Sequence, residues 1–151
     1  MRLETVVRAG VASALLCLGG GSALGDDSDE PPAAFRPPAI PLVVHDPYLS
    51  VWSFTDRLTD SWSVHWTGKT QAICGLLWID GEAFRFAGLR PEAVPAMEQV
   101  SVAVHPTRTE YQFRAGGVDL DLMFLNPLVA DDPDLLSRPI THVTLRASAA
   151  D

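Results

Sequence analysis

Lysine is almost absent from this chain. Lys69 is the only one, and acidic residues outnumber basic ones 19 to 11. A lysine-poor surface with a net charge of −8 lacks the positive footprint that nucleic acid or an anionic membrane requires. Neither is expected as a partner. Cysteine is nearly as scarce. Cys17 lies in an N-terminal apolar run, and Cys74 stands alone inside "AICGLLWI", so there is no disulfide framework and no zinc spacing. A solitary thiol in an apolar run is expected to be a small buried hydrophobe. The N-terminal run, residues 9–18, is too short to span a bilayer, which takes about 20 residues. No glycine-led nucleophile elbow, metal-type histidine pair or phosphate loop occurs, and "TGK" lacks the upstream glycine of a P-loop. No cofactor is expected. No segment carries a helical apolar stripe.

What is present begins with a targeting signal. "MRLETVVRAGVASALLCLGGGSALG" has Arg2 and Arg8, a short apolar stretch, and small residues fitting a signal-peptidase site, so residues 1–25 are expected to be a signal peptide. Lipid anchoring at Cys17 is the alternative, although Leu16 is large for the residue before an anchor cysteine. Cleavage removes two arginines and one glutamate and moves the net charge to −9. Residues 26–39, "DDSDEPPAAFRPPA", are acidic, then proline-rich, and have little to bury, as in an exposed linker. The expected location is secreted or periplasmic.

From residue 40 onward the apolar period is two. Alternating runs occur at 49–54, 99–106, 109–115, 117–127 and 140–148, divided by glycine or proline. "AICGLLWID" is almost continuously apolar and is expected to be a strand covered on both faces. It runs through Asp80-Gly81 into "EAFRFAG", the strongest hairpin signal in the chain. Six or seven short strands predict an all-β, antiparallel sandwich-type domain over residues 40–151. The last strand, "ITHVTLRAS", stands close to the final residue, so the sheet is expected to be incomplete at its C-terminal end.

One stretch gathers unusual chemistry. "DSWSVHWTGKTQ" places Trp62, His65, Trp66 and Lys69 together, with Trp52 on the preceding strand. Tryptophan faces bind sugars or cations, and His65 or Lys69 could hold a carboxylate. The same residues could equally cover one end of a sandwich, with Gly68 supplying the turn. These five residues are the candidate ligand or domain-interface set, and no catalytic residue or metal ligand is assigned. "HDPY" is read as a turn capped by Asp46, with His45 lacking a catalytic partner. "DDPDLLSRP" could hold calcium through Asp131, Asp132 and Asp134, but it lacks EF-hand spacing and reads better as a solvated turn.

The strings "PLVVHDPYLSVWS", "HWTGK", "IDG", "PTRTEYQF" and "LSRP", in this order over about residues 36–146, resemble the N-terminal region of the glutaminase A family, large secreted proteins of bacteria and fungi. The resemblance implies a β-sandwich in front of a helical catalytic domain, which would be this region's partner, and hydrolysis of L-glutamine to L-glutamate and ammonia by the whole protein. It matches no catalytic residue to a position here. The expected function is therefore a non-catalytic β domain of a secreted amidohydrolase. An extracytoplasmic carbohydrate- or ligand-binding module is the alternative.

Overall fold

A computed structural model describes residues 36–150. The expected signal peptide, and most of the expected linker, lie outside the described residues. Ile40 opens the first strand, and eight follow one another in chain order: β1 Ile40–Val44, β2 Ser50–Ser53, β3 Gly75–Ile79, β4 Glu82–Ala87, β5 Glu98–Val104, β6 Arg108–Ala115, β7 Val118–Leu125 and β8 His142–Ala149. All the strand pairings are antiparallel. The β1 strand is one more than the periodicity predicted. Its sequence, "IPLVV", is short and contains a proline, which weakens the pattern.

β5 to β8 form a four-stranded meander in the order β5-β6-β7-β8. Alternation sorts its two faces. Thr109, Tyr111 and Phe113 of β6 and Leu120, Leu122 and Phe124 of β7 are buried on one side. Glu110, Gln112, Arg114, Asp119 and Asp121 point to the other. The hairpins β1–β2 and β3–β4 supply Ile40, Leu42, Val51, Phe86 and Ala87 to the same core. The all-β, sandwich-type reading therefore holds, with two hairpins in place of a continuous second sheet. Asp80-Gly81 closes β3–β4 with both residues at positive φ, 49° and 89°, as a tight hairpin demands.

Aromatic rings dominate the core. Phe113 lies with its centroid 6.0 Å from Phe86, and Tyr111 meets Phe124 edge-on at 6.4 Å. Polar side chains stitch the layers together. Asn126 accepts from the Val44 amide (3.0 Å) and from Thr141 Oγ1 (2.8 Å), and donates to the Leu42 carbonyl (3.2 Å). Gln99 accepts from the Leu58 amide and donates to the Asp56 carbonyl, both at 2.9 Å.

Two expectations fail in β3. The strand is covered on one face only. Leu77 and Ile79 face the core, while Trp78 is 64% exposed. Cys74 is exposed rather than buried, and its thiol donates to the Arg90 carbonyl at 3.0 Å. The physical reason is that β3 sits in a two-stranded hairpin laid on the sheet, with no further layer over it among the described residues. One helical turn, α1 Pro133–Leu136, replaces the expected simple turn. Asp132 caps it by accepting from the Leu135 amide at 3.0 Å. Among the described residues no helix is long and apolar enough to cross a membrane.

Candidate functional site

The segment after β2 folds back onto it. Trp52 and Val64 exchange both backbone hydrogen bonds, at 2.8 and 2.9 Å. Gln71 donates to the Ser63 carbonyl, and the His65 amide donates to the Lys69 carbonyl at 2.8 Å. "SVHWTGKTQ" is thus a small hairpin added to the β1–β2 edge. Gly68 has φ of 86°, the left-handed conformation that a glycine adopts without steric cost, and its amide closes the loop on the His65 carbonyl.

Pro47, in the "HDPY" turn, receives this loop. Its carbonyl accepts from Trp66 Nε1 at 2.6 Å and from His65 Nε2 at 3.0 Å. His65 Nδ1 in turn accepts from the Thr67 amide at 3.3 Å and pairs with Thr67 Oγ1 at 2.8 Å. A carbonyl can only accept, so the ring proton is assigned to Nε2 and Nδ1 serves as acceptor. Both ring nitrogens are occupied. The Pro47 turn is itself held by Asp46, whose carboxylate accepts from Tyr48 and Leu49 amides at 2.7 and 2.9 Å. Those backbone hydrogen bonds hold the Asp46 carboxyl below its ordinary pKa.

The five candidate residues therefore separate. Trp66 is 60% exposed and stands beside the His65 ring, and Tyr48 nearby is 91% exposed. Lys69 is exposed and makes no ion pair among the described residues. Trp52 is half-buried in β2, and its Nε1 is buried without a hydrogen-bond partner among the described residues. Trp62 is also half-buried and lies against Gly88. A Cβ on Gly88 would lie 2.7 Å from the Trp62 ring and 2.6 Å from the Ile73 carbonyl, and φ there is 79°, so this position takes only glycine. The structure thus joins His65 and Trp66 through Pro47 and places Trp52 and Trp62 apart from them. The Pro47 carbonyl went unnoticed in sequence, because a backbone acceptor 18 or 19 residues away leaves no side-chain signature.

Two concavities lie elsewhere. One, of 460 Å³, opens on the outer face of the meander over Gln112, Asp121, Met123, Thr144 and Arg146. The other, of 350 Å³, lies among Trp52, His105, Asn126, Leu136 and Ile140. His65, Trp66 and Lys69 line neither. Neither brings together a nucleophile, a base and an oxyanion donor.

A domain of unknown function, DUF4964, matches residues 26–99, and a second, DUF5127, matches residues 107–151. Glutaminase A of Aspergillus oryzae (strain ATCC 42149 / RIB 40) is 32% identical over 105 residues, covering 64% of this chain and 15% of that protein. The chain thus spans about 15% of the length of this curated relative. No solved structure matches the chain.

Proposed function

We propose that this chain, which fits an N-terminal region of glutaminase A-like proteins, is a non-catalytic β domain of a secreted amidohydrolase. Hydrolysis of L-glutamine to L-glutamate and ammonia is assigned to the larger protein, not to these residues. The single observation that carries the reading is the state of His65. It is the only histidine in the candidate loop, and both its nitrogens are spent on the Pro47 carbonyl and on Thr67. A general base needs a free nitrogen within reach of the proton it takes. Lys69 makes no ion pair among the described residues, and the two concavities hold no triad.

The role of the loop is then docking. Trp66, whose Nε1 donates to the Pro47 carbonyl, and Tyr48, which follows Pro47 in the chain, are both exposed and would together offer an aromatic shelf. Exposed apolar shelves mark interfaces, including those between domains of one chain. Its partner in this reading is the helical catalytic domain of the full-length protein, with Lys69 reaching an acidic group at the boundary. The domain spans residues 40–151 behind a signal peptide, 1–25, and a linker, 26–39, and works outside the cytoplasm.

Two measurements test this. Ammonia release from L-glutamine by the isolated chain is expected to match buffer. Turnover that survives repurification and disappears in His65→Ala would make the loop catalytic. Mixed with the helical domain of a full-length relative, the Trp66→Ala chain is expected to associate at least tenfold more weakly, with its own folding intact. Loss of folding with unchanged association shows the loop to be ordinary packing. Retention of a sugar on an affinity column, abolished by Trp66→Ala, favours the carbohydrate-binding alternative instead.

A further inference from the structure

On the outer face of the meander, two arginines are matched to carboxylates. Arg114 grips Asp119 with two hydrogen bonds of 2.6 and 3.0 Å. Arg108 Nε donates to Glu110 at 2.6 Å, and His105 Nε2 stands 3.5 Å from the same carboxylate. Between these two pairs lies the 460 Å³ hollow, lined from all four strands. Short side chains border it, Ser101 and Ala103 on β5 and Thr144 on β8.

One cross-strand row passes through the hollow: Ser101, Gln112, Asp121, Arg146. Ser101 donates to Gln112 Oε1 at 2.9 Å, and Gln112 Nε2 donates to Asp121 Oδ1 at 3.3 Å. These bonds orient the amide and occupy one oxygen of the carboxylate. Arg146 stands directly opposite Asp121 on the neighbouring strand. Opposite charges in facing positions attract and stabilise a sheet. Yet no hydrogen bond or ion pair joins these two, and Arg146 makes none with any described residue. Asp121 Oδ2 also accepts from no described residue. Arg146 is thus unlike Arg108 and Arg114. A cation and an anion face the same hollow, and each has hydrogen-bonding capacity to spare.

We infer that this hollow binds a free α-amino acid, with the ligand's carboxylate on the Arg146 guanidinium and its ammonium on the Asp121 carboxylate. A guanidinium forks onto a carboxylate through two parallel N–H donors. An ammonium is a donor only and an ionised carboxylate an acceptor only, so the second contact is equally specific. An α-amino acid carries both groups on one carbon, and a single ligand therefore completes both side chains. A simple anion or a simple amine completes one and leaves the other. A saccharide fits less well, because it carries no charge and the hollow offers it no ring to stack on. Tyr111 lines the hollow but is only 1% exposed, with its ring in the core. The ligand class follows from the charges. The choice of L-glutamine as the first member to try rests on the reading of this chain as part of a glutaminase A-like protein. No bond is broken at this site, which gives the β domain a ligand of its own, apart from the Trp66 loop.

The test titrates the isotope-labelled chain with L-glutamine and follows its amide resonances. Saturable shifts are expected, centred on Gln112, Asp121 and Arg146. Arg146→Gln and Asp121→Asn should each weaken binding about tenfold or more, the loss expected for a hydrogen bond between charged groups. Their urea midpoints should stay near the parent's, because both positions are exposed. Two truncated ligands assign the contacts. Glutaramate, which is glutamine without its ammonium, should bind the parent about tenfold more weakly and lose nothing further in Asp121→Asn. γ-Aminobutyramide, which is glutamine without its carboxylate, should be equally indifferent to Arg146→Gln. A merely structural role for either residue does not produce these matched losses. Absence of saturable shifts with L-glutamine, L-glutamate and L-serine alike overturns the inference. Binding that both variants leave unchanged overturns it too, as do shifts at these residues with D-glucose but with no amino acid. Binding of L-serine without L-glutamine upholds the site and removes only the choice of glutamine. Ammonia release from L-glutamine by the isolated chain would remove the non-catalytic reading while leaving the binding result standing, so the two failures are distinguishable.

Discussion

Two sets of aromatic residues in this molecule have opposite fates. Tyr111, Phe113 and Phe124 are buried in the meander, while Tyr48, Trp66 and Trp78 are exposed on the hairpins that cover it. Composition does not distinguish them. Position in a regular alternation does. The buried set occupies every second place on long strands whose inner face has a partner layer. The exposed set sits in turns or on the uncovered side of a two-stranded hairpin. Burial here follows from how many layers lie over a strand, and stability and recognition divide along the same line.

The largest effect that tests this division is expected at Phe113. Phe113→Ala removes a ring packed between Phe86 and Tyr111 and should cost about 3–5 kcal/mol in a urea melt. Since small domains are stable by only about 5–15 kcal/mol, much of the folded population is at risk. A loss as small as that of an exposed site would break the comparison.

Tyr111→Phe sharpens it. The Tyr111 hydroxyl is buried with no hydrogen-bond partner among the described residues. Removing an unpartnered buried polar group should be neutral or stabilising by up to about 1 kcal/mol. Burial pushes the Tyr111 pKa above its ordinary value of 10.0. The sign follows by linkage. Below the ordinary value both states are protonated and stability is unaffected. As pH rises past it the unfolded chain ionises first, and stability is lost. Chemical melts of Tyr111→Phe at increasing alkaline pH should therefore lose less stability than the parent.

Trp66→Ala in the isolated chain should cost less than about 1 kcal/mol, because most of the ring is already in water. A loss comparable with that of Phe113→Ala would place the shelf in the core. The smallest effect concerns Asp46. Its depressed pKa contributes stability to the "HDPY" turn that is present above the ordinary carboxylate value and lost as pH falls through the lower folded one. Asp46→Asn should flatten that acid limb, read from Tyr48 and Leu49 amide shifts, without changing the global melt at neutral pH.

Much of the fold was legible because alternation is a direct consequence of strand geometry. Val118, Leu120, Leu122 and Phe124 against Asp119 and Asp121 could pack only one way up. Asp80-Gly81 announced its hairpin through the backbone conformations those residues tolerate. β3 was misread because a continuous apolar run shows what a strand is able to bury but not whether a layer exists to cover it. That is why Cys74 and Trp78 were misplaced. The "HWTGK" cluster was visible as a cluster, but its organisation was not. Trp52, Trp62 and Trp66 look equivalent in sequence, yet a bridge to Val64, a close approach to Gly88 and a proline carbonyl send them to three different environments.

Asn126 also bears on the time course of folding. The pairings of the meander join neighbours in sequence, and each hairpin can zip from its own turn. The hydrogen bonds of Asn126 to Val44 and Leu42 close loops of 82 and 84 residues instead. Ordering so long a loop costs chain entropy before any contact rewards it. The meander is therefore expected to assemble first and β1 to dock late. In that order, Asn126→Ala should speed unfolding and leave the refolding rate almost unchanged, which stopped-flow kinetics of the variant would register directly.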